Sequence, residues 1–119
     1  MHIIGNGVDI IKNSRINNSL KTKGFLNRIF TEKEIQQGTK LKNKINFYAK
    51  RFAAKEAFVK AIGTGFRSDI NFIDIEIKNY KNGKPYISLS KKLNNFLQKK
   101  FKIQKYKVFL SLSDEKDYS

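Results

Sequence analysis

With 119 residues the chain is long enough for one hydrophobic core and short for two, so a single domain over residues 1–119 is expected. Its 25 Lys and Arg against 10 Asp and Glu leave a formal charge of +15, which favours a polyanionic partner (nucleic acid, an anionic membrane, a phosphorylated ligand or an acidic protein) unless an AT-rich coding bias explains the lysines. The absence of Cys and the lone His2 exclude disulfides and thiolate or histidine metal sites, and no stretch approaches the ~20 apolar residues of a membrane span or signal core, so any metal is oxygen-bound and the cytoplasm is the expected location.

Ile3 to Ile11 is apolar and β-branched, with glycines at 5 and 7. It predicts a buried strand whose backbone another group approaches closely, with Asp9 near its end. Ser14 is positioned to cap a helix bearing Arg15, Ile16 and Leu20, interrupted near Lys23-Gly24. Thr31-Glu32-Lys33-Glu34 reads as a capping box, and Gly38 as the stop of a short helix near 32–37. The strongest helical pattern places Ile45, Tyr48, Phe52, Val59 and Ile62 at steps of three and four, with Lys55 in the same register and Gly63 as a left-handed stop. Ile73, Ile75 and Ile77 alternate with Asp74, Glu76 and Lys78, the period of a half-buried strand. Asn82-Gly83 predicts a tight hairpin turn, Tyr86 to Leu89 the returning strand. Ser90 caps a helix with Leu93, Phe96 and Leu97, and Tyr106 to Ser113 reads as a last strand. No repeat or low-complexity linker appears. The layout is α+β: an antiparallel sheet packed by one long helix and shorter helices.

Two carboxylates stand out. Glu56 lies among Ala53, Ala54 and Ala57 on the long helix, where it either pairs with Lys60 four residues later or faces a ligand across small side chains. Asp9 sits inside an apolar run, where a desolvated carboxylate needs a cation or structural hydrogen bonds. If both face one space, they suit Mg²⁺, which is commonly held by one or two carboxylates together with substrate phosphate oxygens. Gly63-Thr64-Gly65 follows a helix C-terminus and is not a P-loop, so any phosphate there relies on turn amides and on Arg51, Lys55 and Lys60; a plain glycine stop is the alternative. Arg15, Lys21, Lys23 and Arg28, interleaved with apolar residues, form either an acidic partner's dock or a solvated face. Asp114, Glu115 and Asp117 read as a solvated acidic tail.

The Gly7-Val8-Asp9 segment near the N-terminus and the Arg51-Phe52-Ala53-Ala54-Lys55-Glu56-Ala57 helix running into Gly63-Thr64-Gly65 resemble the holo-acyl-carrier-protein synthases, the small 4'-phosphopantetheinyl transferases of fatty acid synthesis. Asp74-Ile75-Glu76-Ile77, Asn82-Gly83-Lys84-Pro85-Tyr86 and Val108 to Ser113 extend the similarity, in order, over nearly the whole chain. The resemblance implies that Asp9 and Glu56 hold Mg²⁺, and that Lys55, Lys60, Gly63, Thr64 and Gly65 hold the coenzyme A phosphates. Arg51 and Pro85 match the coenzyme pocket's wall. In the family this pocket lies at a boundary of a homotrimer, so both can serve a neighbour's site. Arg15 and Arg28 match the positions that receive the acidic helix of acyl carrier protein.

The implied reaction is attack by a serine hydroxyl of the apo carrier on the β-phosphate of coenzyme A, releasing adenosine 3',5'-bisphosphate, with Lys60 compensating the leaving phosphate. Solvent on the ion, Glu56 and Asp114 all stand as acceptors of the serine proton. Two departures are visible: Asp114 replaces a frequent histidine, and many members continue through another apolar strand beyond Ser119, which bears on trimer packing. A small basic nucleic-acid-binding module and a catalytically dead trimeric scaffold are the competing readings. The first lacks an RNP-type strand, zinc spacing or helix-turn-helix signature, so neither nucleic acid nor membrane is expected as a partner.

Overall fold

Five helices and one two-stranded antiparallel sheet form among the described residues, 2–67 and 69–119 of a computed structural model. In chain order they are α1 (Asn13–Leu20), α2 (Phe25–Ile29), α3 (Glu32–Thr39), α4 (Lys44–Ile62), a 3₁₀ turn (Phe72–Asp74), β1 (Ile75–Asn79), β2 (Pro85–Leu89) and α5 (Lys91–Phe101). The α+β layout with one long helix is as expected. No helix is long and apolar enough to cross a membrane.

The 19 residues of α4 do more than present one apolar stripe. Phe47 to Ala53 pack with Ile11, Ile16, Phe25, Ile29 and Phe30, whereas Ala54 to Ile62 pack with Ile70, Ile75, Ile77, Leu93 and Leu97. The helix therefore joins two apolar clusters end to end, and of the residues on the predicted face Ile45 and Phe52 are only half-buried. Asn43 caps the start through its side-chain oxygen, and Gly63 ends it at φ 77°, where a residue with a Cβ would be strained.

Local signals for the other elements hold in part. The Thr31 capping box forms: Thr31 Oγ1 accepts from the Glu34 amide at 3.3 Å and Glu34 Oε1 accepts from the Thr31 amide at 2.9 Å. Gly38 does not stop α3, which continues to Thr39; a Cβ there would overlap the Tyr48 ring and hydroxyl, so close packing explains this glycine. Ser14 is not a cap either, because α1 begins one residue earlier and Lys12 occupies the cap position. Asn13 instead buries its amide, donating to Asn46 Oδ1 and to the Glu115 and Lys116 carbonyls.

β1 and β2 pair from Ile75 with Leu89 to Asn79 with Pro85. Ile73 lies outside the ladder in the 3₁₀ turn and is exposed. Gly83 has φ 90° as the turn requires, but the connection spans Tyr80 to Lys84 and closes through Tyr80 N to Lys84 O at 2.9 Å. Ser90 caps α5 by accepting from the Leu93 amide at 3.1 Å.

Two predicted strands join no ladder among the described residues. Residues 7–11 and 106–113 alternate inward and outward, whereas Ile3 and Ile4 are both exposed, and neither segment belongs to the sheet. Ile11 and Asp9 face in, whereas Val8 and Ile10 are 78% and 72% exposed, and Phe109 is 83% exposed. A strand requires a partner strand, and among the described residues the one pairing outside the sheet is a bridge between Lys12 and Tyr118. That bridge also corrects the solvated tail: the Ile11 amide donates to Ser119 O at 2.8 Å and the Asn13 amide to Asp117 O at 2.7 Å.

Candidate active site

Asp9 owes its place to the glycines before it. Gly5 packs on the carbonyl of Ala61 and Gly7 on that of Ala57, so closely that a Cβ at either would overlap the carbonyl oxygen. Two extended residues advance roughly 6.6 Å and four helical residues roughly 6 Å, so the segment keeps step with α4 while running against it. Asp9 follows in the same inward phase, its side chain 15% exposed. Gly7→Ala should push this segment off α4 and displace Asp9. We expect about a 10²-fold loss of turnover, the scale of an ångström-sized misplacement, with helix content by circular dichroism unchanged.

Glu56 projects from α4 toward the same space. Burial raises its pKa first and the Asp9 carboxylate raises it further, against the opposing pull of Lys60 and Arg15. Asp9, Lys60 and Arg15 thus all act on Glu56 electrostatically. The i,i+4 pair of Glu56 with Lys60 does not form. Lys60 instead donates to Asp9 Oδ1 at 2.8 Å and to the Val8 carbonyl at 3.3 Å, and its pKa is raised chiefly by that bond to Asp9. Glu56 makes none of the ion pairs or side-chain hydrogen bonds among the described residues.

A half-buried carboxylate without a partner, held beside a second carboxylate, is a donor set that a cation relieves. Among the described residues no group of three or more acidic, histidine or cysteine side chains gathers, so a cation here meets two protein carboxylates and completes its shell with water or phosphate. That suits Mg²⁺.

Lys55, expected at the coenzyme phosphates, is placed elsewhere. Its ammonium is fully buried, 2.6 Å from Glu34 Oε1 and 2.7 Å from the Ile29 carbonyl, with the Phe30 ring beneath it. Burial lowers its pKa and Glu34 opposes that shift. Two of its three N–H donors are thus engaged inside the fold, and its side chain is 0% exposed. Arg51 is also buried: it lies over the Phe47 ring at 3.8 Å and donates through Nη2 to Asn79 Oδ1 at 2.7 Å. Asn79 pairs with Pro85 next to the turn, so Arg51 is tied to the turn end of the hairpin, on the strand opposite Pro85.

Gly63, Thr64 and Gly65 form an open turn one helical turn beyond Lys60, with Gly65 at φ 63° and Thr64 Oγ1 donating to its neighbour's carbonyl at 2.9 Å. Arg15 and Arg28 are exposed, on α1 and α2. Asp114 is tied to the start of α4, accepting from Asn46 Nδ2 at 2.7 Å and lying 3.3 Å from Lys50. The Asn46 bond, helped by Lys50, holds its pKa below the usual carboxylate range. Glu34 and Asn79 were missed as supporting residues. The capping box marked Glu34 only as a helix start, and a β1 pattern read for apolar alternation passes over an asparagine at its end.

The 4'-phosphopantetheinyl transferase superfamily matches residues 5–117 of this chain. A holo-[acyl-carrier-protein] synthase of Pelagibacter ubique is 53% identical over 119 residues, covering 100% of this chain and 93% of the relative. Among solved structures, a holo-[acyl-carrier-protein] synthase from Neisseria meningitidis superposes with a TM-score of 0.87 at 38% identity, over 98% of this chain and 93% of that one. The Bacillus anthracis synthase, in complex with CoA (3',5'-ADP), gives 0.80 at 38% identity, over 98% and 90%. With a carboxylate pair on the G-V-D segment and the K-E-A helix, and with this agreement along its length, the chain belongs to the holo-acyl-carrier-protein synthases of the 4'-phosphopantetheinyl transferase superfamily.

Proposed function

We propose that this chain transfers 4'-phosphopantetheine from coenzyme A to a serine of apo acyl carrier protein, releasing adenosine 3',5'-bisphosphate, in the fatty acid synthesis of the cytoplasm. What supports this reading is the Asp9–Lys60 contact at 2.8 Å, with Glu56 inside the field of both, in a chain of this family. Asp9 and Glu56 would hold Mg²⁺, which would supply positive charge against the coenzyme's diphosphate.

In the transfer, the serine oxygen bonds to the β-phosphorus while the bond from that phosphorus to the bridging oxygen breaks. The bridging oxygen leaves with the adenosine 3',5'-bisphosphate, and Lys60, at the open side of the site, compensates the charge that develops there. The serine proton needs an acceptor. Of the two carboxylates, Asp114 is the less available acceptor, because it is already tied to Asn46 and Lys50, whereas Glu56 has no such bond among the described residues. In the Gly63–Gly65 turn the Gly63 and Thr64 amides donate back to the Val59 and Lys60 carbonyls, which leaves the Gly65 amide to meet a phosphate. Pro85, whose strand partner Asn79 accepts from Arg51, forms part of the coenzyme's wall.

Arg15 and Arg28 receive the acidic carrier protein. Reversing either to Glu should raise the KM for carrier protein about tenfold at low salt and less at high salt, with little change in kcat, because surface charges act mainly on encounter and are screened. Salt-independent kinetics would remove them from that interface.

The assembly is proposed to be a homotrimer, and the chain one domain. Two extended segments without ladder partners, with Ile3, Val8, Ile10 and Phe109 turned outward, support burial against other copies, since an unpaired edge invites strand pairing. The activity is tested by incubating the protein with coenzyme A, Mg²⁺ and apo carrier protein. Mass spectrometry should find the carrier heavier by one phosphopantetheine; an unmodified carrier refutes the assignment.

A further inference from the structure

Lys60 extends from α4 one turn after Glu56, yet its ammonium passes that carboxylate by. It donates to Asp9 Oδ1 at 2.8 Å and to the Val8 carbonyl at 3.3 Å, both on the N-terminal segment. Of the two acidic groups proposed to hold the cation, one is thus occupied by an ammonium and the other is bare. Lys60 engages Oδ1 alone, so a divalent ion on Asp9 would share one carboxylate with the ammonium, and a dication and an ammonium held that close repel.

The two partners differ in freedom. Asp9 is 15% exposed and anchored by a segment that cannot leave α4 without moving Gly5 and Gly7, whereas the Lys60 side chain is 55% exposed on a flexible four-carbon stem. When the pair opens, the lysine moves. An exposed ion pair of this kind is weak and readily exchanged.

We propose that Lys60 is the internal counter-ion of the metal site: its ammonium neutralises Asp9 when no divalent ion is present, and binding of the ion at Asp9 and Glu56 displaces it toward the coenzyme's phosphate. This rests on the Asp9 and Glu56 metal pair above. The two positive charges then serve in sequence, with the ion taking the carboxylates and the released lysine taking the anion. Linkage makes the effect reciprocal, so whatever captures the lysine tightens the ion and metal loading strengthens anion binding.

The test titrates the full chain with Mn²⁺ alone, without coenzyme, following free Mn²⁺ by electron paramagnetic resonance. Lys60→Met should bind Mn²⁺ about fivefold or more tightly than the unaltered protein, within the ordinary range of coupling between sites. Arg15→Met, which removes the same charge near Glu56 without touching Asp9, should give a clearly smaller gain. Asp9→Asn and Glu56→Gln should each weaken binding. Equal or weaker binding by Lys60→Met, or an equal gain in Arg15→Met, overturns the counter-ion role while the metal pair stands. Binding that ignores both Asp9→Asn and Glu56→Gln, or no binding by any form, overturns the metal pair and the counter-ion role together.

Discussion

Asp9→Ala and Glu56→Ala should each abolish pantetheinyl transfer, by at least about 10³-fold, the scale of losing a group that places charge against the transition state. Both variants should remain folded. The Asp9 pair with Lys60 is solvent-facing on the lysine side and contributes little to stability, and Glu56 has no ion-pair partner to lose. Turnover at the unaltered rate in either variant, measured under saturating coenzyme A and Mg²⁺, would refute the metal assignment. Glu56→Gln separates function from stability further. Because burial and Asp9 raise the Glu56 pKa in the folded chain, its ionised form disfavours folding at neutral pH. That cost disappears once the pH falls below the unfolded carboxylate range. In the absence of divalent ions, Glu56→Gln should therefore melt about 2 °C higher than the unaltered protein at pH 7, with the difference vanishing near pH 4. A lower melting temperature at pH 7 would show that Glu56 has a structural partner.

Lys55→Met should be the most destabilising single change in the chain. Lys55 and Glu34 are both fully buried, at the point where α4 passes from one apolar cluster to the other. Glu34 accepts from Lys55 and the Thr31 amide through Oε1 and from the Ile77 amide through Oε2, which ties α3, α4 and β1 to one carboxylate. Removing the ammonium leaves that charge uncompensated in the interior, at a cost of about 3–5 kcal/mol, whereas removing both charges together is often nearly neutral. Urea denaturation should show that loss for Lys55→Met and recovery of at least half of it in Lys55→Met/Glu34→Gln. A single variant within 1 kcal/mol of the parent, roughly the value of an exposed pair, would show that the pair is not desolvated in solution.

Local chemistry decided much of this molecule. The capping box at Thr31, the left-handed stop at Gly63, the alternation of Ile75 and Ile77 and the Ser90 cap depend on neighbours a few residues apart. Each is legible in one pass along the chain. Asp9 and Glu56 stand out in the same pass, because an aspartate in an apolar run and a glutamate among alanines depart from what packing alone would select.

Long-range arrangement decided the rest. Lys55 and Lys60 lie five residues apart on one helix with the same charge, and only the fold turns the first into a buried tie to Glu34 and leaves the second free to choose Asp9 over Glu56. Gly38 reads as a stop until Tyr48 is seen against it. The segments 7–11 and 106–113 carry strand-like alternation, but hydrogen-bonded pairing belongs to two chains of backbone at once, so periodicity in one of them cannot supply the partner. A residue's type states what it can bind; which group arrives within 3 Å of it is settled by packing between elements far apart in sequence.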